Sequence, residues 1–490
     1  MTHLKKQNFS ILLWVITLVL FTACGDDNVT EPIPSTGTIV LSSSSDSFES
    51  GRGTSVDIPI SINAEEGIKS LAVSLDGGTS QNLPITVGQT TVNTSITYTI
   101  PADALFGSSA ELTVIATDAL DQTSETIVTV TTGNLIEVPT TYEFIRNGET
   151  TVSFSGQNKR LDMLEIIKND ILKAGDNGEI ISEQAFLNAF NNTGGNGGGL
   201  FPFESSKQLG NKTFQPDLDE QLFENMFRSA AEASIAANGG QMASNGVAGL
   251  IVRENKGTTV LVDANGREFT QLIEKGLMGA VFYNQIFNTY FSDARTGDDV
   301  ENTILREGKN YNDMEHHWDE AFGYWNPPLD FTSDWPSERG SEDRFWSHYS
   351  NVVDPSLGTN SLIMEGFIKG RTAIVNNDLD TKNSIRTEVA DNLELVAAAT
   401  AVHYINDAQE ALNLGNIGEA FHVMSEVWAF VNAIRYYPNR KISLQEIETI
   451  METDLGANGN FWNVTPEGLS NAKATLVAAY PKLAPVQDEL

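Results

Sequence analysis

Imidazole is scarce in this chain, with six histidines in 490 residues, so the useful question is which carboxylates share a helical face with each. The densest stretch is 311–325, reading YNDMEHHWDEAFGYW. Placed on a helix at about 100° per residue, Met314, His317, Trp318 and Ala321 line one face that is apolar except for the imidazole. Glu320 follows His317 by three residues and His316 by four, on the neighbouring stripe. His316 and His317 diverge by about 100°, so one straight helix does not aim both at one ion. The pair expected to act is therefore His317 with Glu320. A neutral imidazole and a carboxylate at this spacing bind a divalent transition ion, iron or zinc, from a single helix. An imidazole on an apolar face also needs a polar partner simply to be buried.

A second constellation lies in 418–436, where Glu419, His422 and Glu426 fall along one stripe. Glu-x-x-His spacing of this kind builds carboxylate-rich metal sites when helices face one another. Should the two segments pack together, His317, Glu320 and His422 would converge with Glu419 or Glu426. The competing reading makes His422 a bridge between side chains and the two glutamates a solvated face. His348 and His403, each beside a tyrosine, are expected to be packing residues. The aromatic group Phe322, Tyr324, Trp325, Trp335, Phe345 and Trp346 is expected to be core rather than a ligand wall.

Several catalytic patterns fail. No His-Glu-x-x-His, His-x-x-Glu-His or Gly-x-Ser-x-Gly occurs, and the glycine run 194–199 lacks the Lys-Ser or Lys-Thr ending of a P-loop. Gly175-Asp176-Asn177-Gly178 resembles a calcium loop only superficially, because Lys173 and Gly175 would hold the first two ligand positions.

The elements that must position these residues follow from pattern. Period-two alternation between residues 37 and 135 gives seven candidate strands, at 38–41, 56–62, 71–75, 83–87, 95–100, 111–116 and 125–130. So many short strands argue for an all-β, immunoglobulin-like sandwich serving mainly as a spacer. Near 136–139 the composition changes, and six of the seven tryptophans lie beyond Val300. A hairpin across Asn147-Gly148 is expected within 142–154. Helical periodicity then marks a helix around 161–171 and others at about 218–237, 268–291, 311–324, 357–377, 383–412, 418–436, 443–452 and 465–479. A mainly α helical bundle over 136–490 is the expected second domain.

The beginning of the chain carries an address. Lys5 and Lys6 precede an apolar run from Phe9 to Phe21, followed by Thr22, Ala23 and the only cysteine, Cys24. This layout reads as a secretory signal over 1–23, and ending at cysteine it resembles a bacterial lipobox, with Phe21 where leucine is usual. Acylated Cys24 would then hold the protein to a membrane, with 24–36 as a flexible tether. Gly25, Asp26 and Asp27 resemble the export tag of surface lipoproteins, so the outer membrane is the expected location. A formal charge of −35 disfavours nucleic acid or anionic lipid as a partner, and one cysteine rules out an internal disulfide.

From Tyr142 onward the chain resembles an uncharacterised family of Gram-negative lipoproteins carrying the MEHHWDEAFGYW block. More distantly it is similar to imelysin-like proteins, helical bundles with a G-x-H-x-x-E motif linked to iron or haem uptake and first labelled peptidases. His317 matches the motif histidine and Glu320 its glutamate. Glu315 stands at the glycine position and joins the candidate ligands. The resemblance implies binding of a metal ion or a metal-bearing ligand such as haem. A surface lipoprotein without metal and a metallopeptidase using the same residues are the alternatives.

Overall fold

Alternating isoleucines build the N-terminal, β-rich region of the molecule. In the computed structural model, which describes residues 37–490 except 52, 102–103, 105–106, 134–135, 147, 215–218, 303, 334 and 340–341, Ile58, Ile60 and Ile62 of one strand all point into a sealed core. Cys24, the signal segment and the tether lie outside the described residues. Among the described residues here, eight strands form: β1 (Ile39–Ser43), β2 (Ser47–Ser50), β3 (Ser55–Ala64), β4 (Ile68–Leu75), β5 (Gln81–Leu83), β6 (Thr91–Thr99), β7 (Ser109–Asp118) and β8 (Thr123–Thr132). They make a three-stranded sheet, β1-β3-β6, and a five-stranded sheet, β2-β8-β7-β4-β5. Ile58 lies opposite Ile96 and Ile62 opposite Val92, while Leu112 and Val114 of β7 face the same core from the other sheet. The two sheets close over this core as a sandwich.

Two differences from the pattern reading have simple causes. β2 is polar and four residues long, too short for alternation to register, and it runs parallel to β8. The strand expected over 83–87 ends at Leu83, because Pro84 has no N–H to donate to a ladder.

The helical C-terminal region has its own core. Its helices are α1 (155–176), α2 (Glu183–Phe190), α3 (Gln221–Asn238), α4 (269–290), α5 (Asp313–Trp325), α6 (Trp346–Leu357), α7 (Thr359–Val375), α8 (Leu379–Asn413), α9 (Ile417–Ile434), α10 (444–454) and α11 (Pro466–Ala479). The 35-residue α8 is the spine, started by an Asp378 cap and packed along α7, α9 and α11. Its stretch from Val396 to Val402 is buried throughout and rich in alanine, which lets neighbouring helices approach closely. The hairpin expected within 142–154 is present, pairing β9 (Ile145–Arg146) with β10 (Glu149–Thr150); Asn147 itself lies outside the described residues. A second hairpin, β11 (Gly249–Arg253) with β12 (Thr258–Val262), stands between α3 and α4.

Turns of π-helix interrupt α1 and α4, the latter at Met278–Tyr283 and Gln285–Tyr290. Such turns rotate the side chains that follow them. α4 also organises the site: its first turns pack on α9 and its last turns on α5.

Candidate functional site

α5 is fixed before any of its histidines can act. Asn312 caps it, accepting from the Glu315 N–H at 2.8 Å, while Glu315 reaches back to the Asn312 N–H at 2.9 Å. Asn326 in the left-handed region, with Pro327 and Pro328 behind it, ends the helix.

Glu315 has a second task inside the fold. It is fully buried and receives Arg146 at 2.8 and 3.1 Å and Arg371 at 3.0 Å. Burial alone would raise its pKa; the two guanidiniums outweigh that and hold the carboxyl at about 2. One turn on, Asp319 accepts from Arg371 at 3.0 Å, the Tyr142 hydroxyl at 2.8 Å and the Ser153 N–H at 3.1 Å. Burial prevails there and pushes Asp319 up to about 6, against the pull of Arg371. This network ties the β9–β10 hairpin to α5 and α7. It leaves Glu315 with no lone pair directed at solvent.

The two adjacent histidines diverge as helical geometry requires. His317 donates from Nδ1 to the Arg295 carbonyl at 2.8 Å, so Nε2 carries the lone pair and faces Arg295 Nη1 at 3.3 Å. Its ring is thus held at both nitrogens. His316 stacks on Tyr311 with ring centres 4.6 Å apart, and its Nε2 lies 3.8 Å from Glu320 Oε2. The other oxygen of Glu320 accepts from Gln157 at 2.9 Å and from the Tyr290 hydroxyl at 3.2 Å. The carboxylate's nearest imidazole is therefore His316, at i, i+4, and not the expected His317. Burial lowers the pKa of both rings, helped by the Arg306 charge near His316 and the Arg295 charge near His317, so both are neutral imidazoles near pH 7.

The second constellation has opposite electrostatics. His422 Nδ1 lies 2.6 Å from Glu268 Oε2, at the entrance to α4, and Nε2 lies 3.4 Å from Glu426 Oε1. Burial lowers the His422 pKa, but Glu268 and Glu426 overcome it and the net shift is upward, favouring imidazolium. Glu426 is 4.0 Å from Lys275, which pairs with Glu274 at 2.7 Å. Glu268 also accepts from Gln271 at 2.9 Å, and nearby Asp176 accepts from Thr270 at 2.7 Å and the Leu261 N–H at 2.9 Å. Burial first, then the Glu268 charge, drives Asp176 up to about 8. Glu419 points elsewhere: it grips Arg253 of β11 through both oxygens at 2.6 and 2.9 Å.

His317 and Glu320 sit at one end of α4 and His422 at the other, roughly 30 Å apart by helix rise, so the two sets do not meet. Among the described residues, no group of three or more His, Cys, Asp and Glu side chains is arranged to hold a metal ion. The polar residues that pattern reading passed over are Arg371, Asp319, Arg146, Glu268 and Lys275. Charges embedded in apolar helical runs, as in Ile368-Lys369-Gly370-Arg371 and Ile273-Glu274-Lys275-Gly276, were the available signal.

A β-sandwich followed by an α-helical body with buried ion pairs defines the class of protein. Within it, residues 139–481 match the family described as a domain of unknown function, DUF4856, and the chain belongs to that family. Comparison with curated proteins and with solved structures gives no match.

Proposed function

We propose that this chain is a cell-envelope lipoprotein, held to the outer membrane by acylated Cys24, whose helical domain binds a metal-bearing ligand in iron or haem acquisition. The layout of residues 5–24 supports the address. The observation that carries the binding reading is His316 Nε2 facing Glu320 Oε2 at 3.8 Å, with the second carboxylate oxygen already fastened by Gln157 and Tyr290. A neutral imidazole offers a lone pair to a metal, whereas the imidazolium favoured at His422 does not. Two protein donors fall short of the four that close a structural site. The pair therefore suits a metal that arrives with its own ligands, as in a chelate or haem. The distant likeness to imelysin-like proteins points the same way, with the donor histidine moved from His317 to His316.

The test titrates chelator-stripped full-length protein with Fe(II), Fe(III), Zn(II) and haem. At least one is expected to bind saturably, and His316→Ala with Glu320→Gln to weaken it at least about tenfold, or 1.4 kcal/mol. Absence of binding by all four, or equal binding by the double variant, overturns the reading in favour of a surface lipoprotein without metal. Metal-dependent peptide cleavage lost in Glu320→Gln with metal retained would instead mark a metallopeptidase.

A further inference from the structure

Arginine side chains are almost all engaged in this acidic chain, where 65 Asp and Glu face 30 Lys and Arg. Arg146, Arg253, Arg344 and Arg371 each hold at least one carboxylate within 3.0 Å. Arg160 and Arg295 find no carboxylate, yet Arg160 donates to two carbonyls and Arg295 meets the His317 ring. Among the described arginines, only Arg435 and Arg440 form neither an ion pair nor a side-chain hydrogen bond. Both line one cavity of about 510 Å³, bounded by the segment ahead of α3, the last turn of α4 and the chain that joins α9 to α10.

In each guanidinium Nε is sealed from solvent, whereas the two terminal nitrogens stay accessible, so a ligand meets the open end of the fork. The fold fixes where the two side chains start. Tyr436 is buried with its ring edge-on to Phe214 at 5.9 Å, and its carbonyl receives Asn288 at 2.7 Å. Tyr437 donates to Asp391 at 2.7 Å, the Lys441 N–H donates to Glu394 at 2.8 Å, and Ser443 caps α10. The joining chain is thereby pinned both between its arginines and beyond them. The carbonyl end of α9 favours a cation at Arg435 even without a ligand. Arg440 has no helix end behind it, and a partly buried charge without a partner is unfavourable.

We infer that this cavity binds a small monocarboxylate with an apolar body, its carboxylate on the open forks of Arg435 and Arg440. A planar guanidinium matches a carboxylate through two parallel hydrogen bonds. The apolar part of the ligand has its own surface. Phe214, Leu222 and Leu444 line the same cavity and are 45 %, 36 % and 45 % exposed, which leaves hydrocarbon uncovered beside the charges. Asp219 and Glu448 share the wall, so a polyanion such as phosphate is repelled more strongly than a single carboxylate. The volume lies in the range of small-molecule pockets and exceeds the need of a bare anion.

The experiment measures binding of octanoate, phenylacetate, acetate and inorganic phosphate to the full-length protein by calorimetry. Octanoate or phenylacetate is expected to bind saturably, at least tenfold more tightly than acetate or phosphate. Octanoate alone marks an aliphatic body and phenylacetate alone an aromatic one. Replacing either arginine leaves no carboxylate unpaired, so Arg435→Gln and Arg440→Gln are expected to keep Tm while weakening binding at least tenfold. Leu444→Glu places a competing carboxylate at the rim, in the first turn of α10 where a helix favours negative charge, and is expected to abolish binding without loss of Tm. Binding should be indifferent to His316→Ala with Glu320→Gln, which separates this site from the α5 pair. Failure of both apolar acids, acetate or phosphate binding as tightly as they do, or full affinity in all three cavity variants overturns the inference. So does a fall in Tm in the arginine variants with affinity retained, which marks a structural role instead.

Discussion

Arg371 illustrates how a single residue governs the candidate site without belonging to it. It is fully buried, pairs with Glu315 and Asp319, donates to Thr151 and lies over the Phe144 ring at 4.9 Å. Removing one partner from a buried pair leaves uncompensated charge, which costs about 3–5 kcal/mol. Arg371→Ala is therefore expected to lower unfolding free energy by about that amount in urea titration, and a loss below 1 kcal/mol would refute the network's role. The same logic explains what pattern could reveal about this site. Helical spacing correctly separated His316 from His317 and placed His317 on an apolar face. It missed that the Arg295 carbonyl, 22 positions earlier in the chain, would claim the His317 ring and leave Glu320 to His316. Partners from distant segments are set by tertiary packing, which one helix's periodicity does not encode.

At the scale of elements, small residues decide how closely helices approach. A Cβ at Gly370 of α7 would strike the Trp318 indole of α5, which also donates to the Phe367 carbonyl at 3.0 Å. Gly370→Ala is expected to destabilise by about 1–3 kcal/mol through overpacking, read as a lower urea midpoint at unchanged slope. At the start of α5, Asn312→Ala should cost about 1 kcal/mol by removing the cap and releasing Glu315 from its reciprocal bond. Long periodic elements such as α8 and α9 were legible from sequence to within a few residues. α2, α6 and the β11–β12 hairpin were not. α2 has only eight residues, α6 contains Pro355, and the hairpin is short, so none shows a sustained period.

For the whole molecule, separate sandwich and helical cores mean separate cooperative units. Calorimetry should resolve two transitions, and Ile58→Ala, creating a cavity in the sandwich core, should lower only one of them, by about 2–5 kcal/mol. The helical unit should also weaken as pH rises. Asp176 has a folded pKa raised to about 8 against about 3.9 unfolded, so it stabilises fully below the lower value and loses that stabilisation as pH climbs to the upper one. His422, raised above its unfolded value near 6.5, acts in the same direction, its contribution fading as pH passes through the folded pKa. Tm of the helical transition should fall between pH 5 and 8, and Asp176→Asn should flatten that slope; an unchanged slope would count against the assignment. The five-stranded sheet has one further consequence. Its two outer strands, β2 and β5, have four and three residues, and Pro84 follows β5 directly. Edges so short and blunted give a neighbouring copy little unpaired backbone to add to along this sheet, whatever the local concentration.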